Sequence, residues 1–302
     1  MDKNTQVVKK LFAELLNVLE INLDILPDKN EENAENTLSA LWCYASGMPI
    51  SIMSASKDEL IELDKEQELL LRELIEKRQN RVPLAHLIGI QSFMGIECQT
   101  EHGIYITRKE TELLAKTALK IMEAEFHDEN IIIADVCTGG GAIAITLAYY
   151  NKNVTAFGSD ISEKAINLAR KNVKTHKLDG SVSMLCGDLM EPFKLEQLQN
   201  KVDIVLSAPP YISSAKISSL PSEIKEHEPE AAFNAGAFGL DIFNRIIKDA
   251  TTFLKNGGYL LFEVGLGQGE FLIKRIKKNK NYSSVKGIRD ENDDIRVLVI
   301  KK

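Results

Sequence analysis

The sequence predicts an α/β fold, a mainly parallel sheet whose last strand is antiparallel, joined to a small N-terminal helical domain. Three observations predict it. From about Glu110 onward short apolar strands alternate with amphipathic helices, the pattern of a parallel sheet with helices on both faces. The two final apolar stretches, near Ser283–Arg289 and Ile295–Ile300, are separated only by a short Asp/Asn/Glu turn and must run antiparallel. Before residue 85 apolar residues recur at helical spacing and no convincing strand pattern is present.

Helices of the first part are expected over Val7–Leu23, with Leu11, Leu15, Val18 and Leu19 on one stripe, over Leu38–Tyr44 and over Leu60–Ile75. Pro27-Asp28-Lys29-Asn30 and Gly47-Met48-Pro49 supply the turns. The pattern changes at Arg81-Val82-Pro83, after which Leu87–Ile90, Ser92–Met94 and Gly103–Ile106 suggest a hairpin-like connector. The expected division is therefore 1–84 helical, 85–109 connector and 110–302 sheet domain. In the last, helices are expected at Thr111–Glu125, Ala142–Tyr149, Glu163–Thr175, Phe238–Leu254 and Gln268–Lys278. The strands between them fall at Ile131–Val136, Val154–Ser159, Val182–Cys186, Val202–Leu206 and Gly258–Val264.

Composition narrows the function classes. The 302 residues carry 37 Lys+Arg against 44 Asp+Glu and are 44% hydrophobic, which excludes a disordered chain, a collagen or a coiled coil. Apolar runs such as Ile131–Ala134 and Tyr259–Phe262 fall far short of the roughly 20 residues of a membrane helix. The start Met1-Asp2-Lys3-Asn4 is no signal peptide, so a cytoplasmic protein without membrane contact is expected. Cys43, Cys98, Cys137 and Cys186 lie far apart with no CxxC or His-paired spacing, which points to reduced thiols and to no metal site. A net charge of −7 argues against gripping a nucleic-acid backbone as the main business, although a local basic groove is compatible with it.

The chemistry gathers at strand ends. Asp135-Val136-Cys137-Thr138-Gly139-Gly140-Gly141-Ala142 follows a buried strand and opens a helix, where a glycine turn lets a ligand approach the backbone and meet a helix N-terminus. A tight turn without ligand is the plain alternative, but three consecutive glycines are entropically costly if nothing needs the approach. Gly139, Gly141 and Ala144 also satisfy a relaxed dinucleotide fingerprint, so the turn alone leaves NAD open. Asp160, followed by Ile161, and Asp188, followed by Leu189, end the next two strands, and with Asp135 they edge one crevice. An acid at 160 suits ribose hydroxyls in either cofactor class, whereas an acid after the third strand suits an exocyclic adenine amine. Taken singly, Asp160 or Asp188 could equally cap a helix or close a turn.

The next strand runs into Ser207-Ala208-Pro209-Pro210-Tyr211-Ile212. A Pro-Pro pair has no N–H to donate and fixes φ, so it can hold neighbouring carbonyls toward an occupant of the crevice. Carbonyl acceptors beside the aromatic ring of Tyr211 suit a planar amine or amide nucleophile, against the alternative of a rigid turn.

In this order and spacing the fragments resemble the HemK-type protein-(glutamine-N5) methyltransferases that modify peptide-chain release factors. The resemblance spans nearly the whole chain: Arg81–Gly89 with Phe93-Met94-Gly95, Thr107–Leu114, Asp135–Ala144, Asp160-Ile161-Ser162, Ser207–Ile212, Glu228–Ala232, Gly236–Leu240, and Gly257-Gly258 with Phe262-Glu263. It implies a Rossmann-like class I methyltransferase sheet behind a helical domain that helps recognise a protein substrate. It also implies S-adenosylmethionine as cofactor and, as acceptor, the Gln of a Gly-Gly-Gln loop attacking the methyl in line, with positioning as the main device. Cofactor contacts are then expected from Asp135, Cys137, Thr138, Gly139, Gly140, Gly141, Asp160, Ile161, Asp188, Leu189, Arg108 and Glu112. The family's Asn-Pro-Pro-Tyr, thought to hold the acceptor amide, falls on Ala208, Pro209, Pro210 and Tyr211.

Two positions depart from the family. Alanine at 208 has no side-chain acceptor, which fits a chain disabled by substitution, a relative with another acceptor, or one that binds without catalysis. The family's Ile-Pro-Arg-Pro stands here as Ile106-Thr107-Arg108-Lys109, keeping the Arg and losing both prolines. Rival readings are an N-methyltransferase of a small-molecule or other amine and a non-catalytic cofactor- or protein-binding module; a nucleic-acid base methyltransferase is disfavoured by the acidic balance. The basic run Lys274–Lys280 reads as a solvated helix end, His227 as structural, and Trp42 and Tyr44 as core. The sequence leaves the oligomeric state open.

Overall fold

The computed structural model describes residues 3–55, 60–127 and 129–302, so Met1 and Asp2 of the start read above lie outside the described residues. In chain order come helices α1 (Lys3–Asn22), α2 (Ala34–Ala45), α3 (Ile52–Ala55), α4 (Lys65–Gln79) and α5 (Leu84–Ile88), then strands β1 (Ile90–Phe93) and β2 (Ile96–Gln99). They are followed by α6 (Glu112–Glu125), β3 (Ile131–Val136), α7 (Ala142–Tyr150), β4 (Val154–Asp160), α8 (Glu163–Thr175), β5 (Val182–Cys186) and β6 (Val202–Ser207). The chain ends through α9 (Ser214–Ile217), α10 (Ser222–His227), α11 (Asp241–Phe253), β7 (Leu254–Glu263), α12 (Gly269–Ile276), β8 (Ser284–Arg289) and β9 (Ile295–Lys301). It packs as two units, one formed by the chain up to Lys109 together with Pro221–Glu228, the other by Glu110–Leu220 with Pro229–Lys302.

The first unit is helical because the apolar stripes of α1, α2 and α4 need one another: Leu15 and Leu19, Leu38, Leu41 and Trp42, and Leu71 and Leu74 form one buried cluster. Helix α4 begins at Lys65, later than the expected Leu60, because Asp64 caps it. The Asp64 carboxylate accepts the Glu66 and Gln67 N–H groups at 2.9 Å, and the Gln67 side chain returns to the Asp64 N–H. Leu87 and Ile88, expected in the hairpin-like connector, close α5, which Gly89 terminates in the left-handed region (φ 72°). Strands β1 and β2 then pair antiparallel as a hairpin, with Ile90 opposite Gln99. Gly103–Ile106 forms no strand: its backbone bonds to α10 and the residue after it, Gly103 N–H to the His227 carbonyl at 3.1 Å and Ile106 N–H to the Glu228 carboxylate at 2.9 Å.

That late segment is fastened by buried charge. Arg78 places Nη1 on Glu223 at 2.9 Å and Nη2 on Glu32 at 3.0 Å, while Lys29 Nζ lies 2.8 Å from Glu223. Two cations face two carboxylates with almost no water, so the quartet is neutral as a whole although each member would be costly alone.

In the second unit the strand order is β5-β4-β3-β6-β7-β9-β8, with the first five parallel and β9 antiparallel to both its neighbours, as the alternation and the short last turn predict. The chain moves from β3 outward through β4 to β5 and then returns to β6 on the other flank of β3. The carboxyl ends of β3 and β6 therefore form the switch point of the sheet, where an open α/β sheet leaves a crevice. Beneath it Val136, Val205, Leu260, Phe262, Phe243, Ile246 and Phe253 pack between sheet and helices. Helix α11 starts at Asp241 and not at Phe238, because Gly236 (φ 81°) and Gly239 (φ 69°) hold the preceding loop in left-handed conformations. Strand β7 reaches back to Leu254 through a register shift against β6 between Val202 and Ile204. Among the described residues no helix is long and apolar enough to cross a membrane.

Candidate active site

At the end of β3 Asp135 is fully buried. Its Oδ2 accepts the Thr138 hydroxyl at 2.6 Å and the Ala144 N–H at 3.3 Å, and its Oδ1 has no partner. Burial pushes this carboxyl up to about 7, against the two hydrogen bonds and with the nearby Asp160 adding to the rise. The turn that follows is laced by Thr138 N–H to the Ser159 carbonyl and Gly141 N–H to the Thr138 carbonyl, both at 2.9 Å. Its glycines differ in purpose. A Cβ on Gly141 (φ 88°) would stand 2.8 Å from Met184 Cε, so this glycine permits close packing beneath α7, whereas a Cβ on Gly139 (φ 55°) would meet nothing within 4 Å. The backbone at Gly139 is thus open on one side.

Asp160 ends β4 with both oxygens on backbone N–H groups, Oδ2 on Gly139 at 3.0 Å and Oδ1 on Ser162 at 2.9 Å. It ties the glycine turn to the start of α8, and burial raises its carboxyl from the ordinary range. Ile161 beside it is 69% exposed, a large apolar side chain at the rim. Cys137 takes a positive φ of 63°, and burial pushes its thiol up, which argues against a nucleophilic thiolate. Leu189 is buried and its carbonyl accepts Ser159 Oγ at 2.6 Å, while Asp188 is half-exposed and ion-paired through Oδ2 with Arg245 of α11. Arg108 and Glu112 have their charges met by other groups. Arg108 lies buried in the first unit with Nη2 on Glu228 at 2.5 Å and its guanidinium over the Tyr105 ring, and Glu112 takes Lys116 one turn along α6 at 2.7 Å.

Beside β3, strand β6 ends at Ser207, whose hydroxyl donates to the Val136 carbonyl at 2.7 Å. Val136 and Ser207 are register partners, so the glycine turn and the Ala208–Tyr211 stretch leave the sheet side by side. Tyr211 is gripped at two points. Its carbonyl accepts Gln268 Nε2 at 3.0 Å, and its phenol donates to Glu263 at the end of β7. Glu263 is buried, accepts the Thr111 hydroxyl at 2.7 Å and lies 3.7 Å from Arg296, and burial raises its carboxyl. Neither Glu263 nor Gln268 is among the expected site residues; Glu263 stands at a strand end and in a fragment that carries the family resemblance, whereas Gln268 offers no such signal.

The crevice suits an adenosyl cofactor with a cationic tail. It has an open glycine backbone, a buried carboxylate oxygen without a partner, acids at successive strand ends and an apolar rim at Ile161. Comparison with known proteins bears on what the crevice serves. Residues 127–299 match a family model described as a methyltransferase domain, and residues 23–89 match the PrmC N-terminal domain. Among solved structures, a T. thermophilus 16S rRNA N2 G1207 methyltransferase in complex with AdoMet and guanosine is similar in fold, with a TM-score of 0.50 at 16% identity, covering 70% of this chain and 49% of that one. Fold and site thus define a class I, S-adenosylmethionine-dependent methyltransferase, which resolves the choice of cofactor that the glycine turn left open. The release factor glutamine methyltransferase of Bacillus cereus is 35% identical over 78% of this chain and 82% of its own length, and that of Fusobacterium nucleatum 30% identical over 100% and 85%. The chain belongs to the release factor glutamine methyltransferase family.

Proposed function

We propose that this protein transfers a methyl group to the side-chain amide nitrogen of the Gln in the Gly-Gly-Gln loop of a peptide-chain release factor, in the cytoplasm. The observation that carries the reading is the pairing of Val136 with Ser207, which brings the cofactor turn and the Pro-Pro-Tyr stretch out of the sheet on adjacent strands. Asp135, Cys137, Thr138 and Gly139–Gly141 would hold the amino-acid end of the cofactor. Asp160 and Ile161 would hold the ribose and ring, and Asp188 and Leu189 the adenine. When bound, S-adenosylmethionine supplies an electrophilic methyl on a sulfonium. The chain's part is to orient a weak nucleophile, with the carbonyls around Pro209 and Pro210 accepting from the amide and the Tyr211 ring beside its plane. Arg108 and Glu112 belong to this proposal with less support, since Glu228 and Lys116 already meet their charges. The helical unit, including the hairpin, is assigned to recognition of the protein substrate.

Ala208 contributes no side-chain oxygen to the acceptor site. Removing one such preorganised bond typically lowers a rate by on the order of 10²–10³, about 3 kcal/mol. The same absence favours a second reading, transfer to an amine, which needs less help than an amide. Purified protein and its Ala208→Asn variant, incubated with S-adenosylmethionine and unmodified release factor, are compared by the mass of the Gly-Gly-Gln peptide. One added methyl, faster in the Asn variant, is expected. If neither chain adds a methyl although both bind cofactor, the release-factor reading fails. Turnover of free amines would then select the second reading, and no turnover at all a binding role.

A further inference from the structure

The side-chain amide of Gln268 joins three loops that are remote in sequence. Its Oε1 accepts the Gly265 N–H at 3.0 Å, and its Nε2 donates to the Tyr211 carbonyl at 3.0 Å and to the Gly239 carbonyl at 3.3 Å. The loop after β6, the loop before α11 and the loop after β7 therefore meet on one side chain, both of whose amide hydrogens are in use. The surroundings are cut to admit it. A Cβ on Gly239 would stand 2.6 Å from the Tyr211 carbonyl and 3.2 Å from Gln268 Nε2. A Cβ on Gly265 would stand 2.9 Å from Tyr211 Cδ2 and 3.0 Å from Gln268 Oε1. Two glycines thus clear space for the Tyr211 ring and for the amide that holds its backbone.

We propose that Gln268 is the positioning residue of the acceptor site, fixing Tyr211 from its carbonyl side while Glu263 holds the phenol. This rests on the reading of Ala208–Tyr211 as the acceptor stretch. Without Gln268 the phenol stays on Glu263 and Ile212 stays on the Phe233 carbonyl through its N–H at 2.9 Å, but the Tyr211 carbonyl loses its donor, so the residue can shift between those two ties and carry the adjacent Pro210 carbonyl with it. Displacements of about 1 Å at a reacting centre can lower rates by on the order of 10². Because Gln268 touches neither the glycine turn nor the strand-end acids, cofactor affinity should be insensitive to it. The two tied loops also carry the exposed side chains Phe238 and Leu266 next to Gly239 and Gly265, so the same amide fixes the backbone from which they project.

Gln268→Glu separates positioning from general support. It keeps size and the bond to Gly265 but turns an oxygen toward the Tyr211 and Gly239 carbonyls, whereas Gln268→Ala removes all three contacts. Each is made in the native and Ala208→Asn chains and assayed for kcat and KM on release factor, for cofactor Kd, and for amide hydrogen exchange across 208–214 and 236–240. Expected are a roughly 100-fold loss of kcat in Gln268→Glu, a cofactor Kd within about twofold of the parent, and faster exchange in both segments. A kcat within about threefold of the parent, or a loss matched by a proportional loss of cofactor binding, overturns the assignment. If the parent chains do not methylate release factor, the functional proposal falls, and exchange alone decides for Gln268: faster exchange sustains the tie and unchanged exchange refutes it.

Discussion

A change of pH should act on Asp135 in two opposite ways. Its carboxyl is fully buried and raised to about 7 by that burial, well above the value of about 3.9 expected in an unfolded chain. Because the folded value is the higher one, the stability linked to this group is complete below about pH 4 and is lost as pH rises through about 7. Three units correspond to roughly 4 kcal/mol. The cofactor should respond the other way. A ligand carrying a sulfonium and an ammonium favours the ionised carboxylate, whose Oδ1 lacks a partner, so binding below pH 7 must expel a proton. Between pH 5.5 and 7 the affinity should then rise roughly 15-fold, about 1.6 kcal/mol. Urea unfolding of the cofactor-free protein measures the first slope. Titration calorimetry in two buffers of different ionisation enthalpy measures the second together with the released proton. Asp135→Asn should reduce both, and the residual unfolding slope is shared by Asp160, Glu263 and Glu32, whose carboxyls burial raises in the same sense. Equal slopes in the parent and the Asn variant, or an affinity independent of pH in the parent, would refute this reasoning.

Two further predictions concern packing. Gly139→Ala meets no atoms and should lower stability only by the left-handed backbone term of about 1–2 kcal/mol while weakening cofactor binding at least tenfold, whereas Gly141→Ala should also lose several degrees of melting temperature through its clash with Met184; circular dichroism melts beside calorimetry distinguish them. Glu223→Gln should destabilise the helical unit by about 3–5 kcal/mol by leaving a net buried cation, and adding Arg78→Met should restore part of that loss; additive losses in a double-mutant cycle of unfolding energies would contradict the quartet's coupling.

What the sequence carried was whatever is local. The strands and helices of the sheet unit follow from short-range periodicity, and the glycine turn, Asp160 and the Pro-Pro-Tyr stretch stand where strand ends put them. What a distant partner decides is not legible in the local pattern. The pairing of Arg108 with Glu228 spans 120 residues, so no local pattern announces it. Gln268 looked like an ordinary helix start because its bonds reach back 57 residues to Tyr211 and 29 to Gly239. Helix starts differ by a few residues from the apolar pattern where a cap, as at Asp64, or a positive φ, as at Gly239, overrides it.

The fastening of Pro221–Glu228 into the helical unit imposes an order on synthesis. Lys29 and Arg78 wait for a carboxylate that lies 194 and 145 residues further along, so the first part of the chain leaves the ribosome with two cations facing Glu32. At roughly 5–20 residues per second, the interval between completing Lys109 and completing Glu228 is on the order of 10 s. During that time the nascent helices hold an uncompensated charge, which disfavours early closure of their core. The charge balance of the helical unit is therefore complete only once Glu223 has been made, well over a hundred residues after the helices it serves.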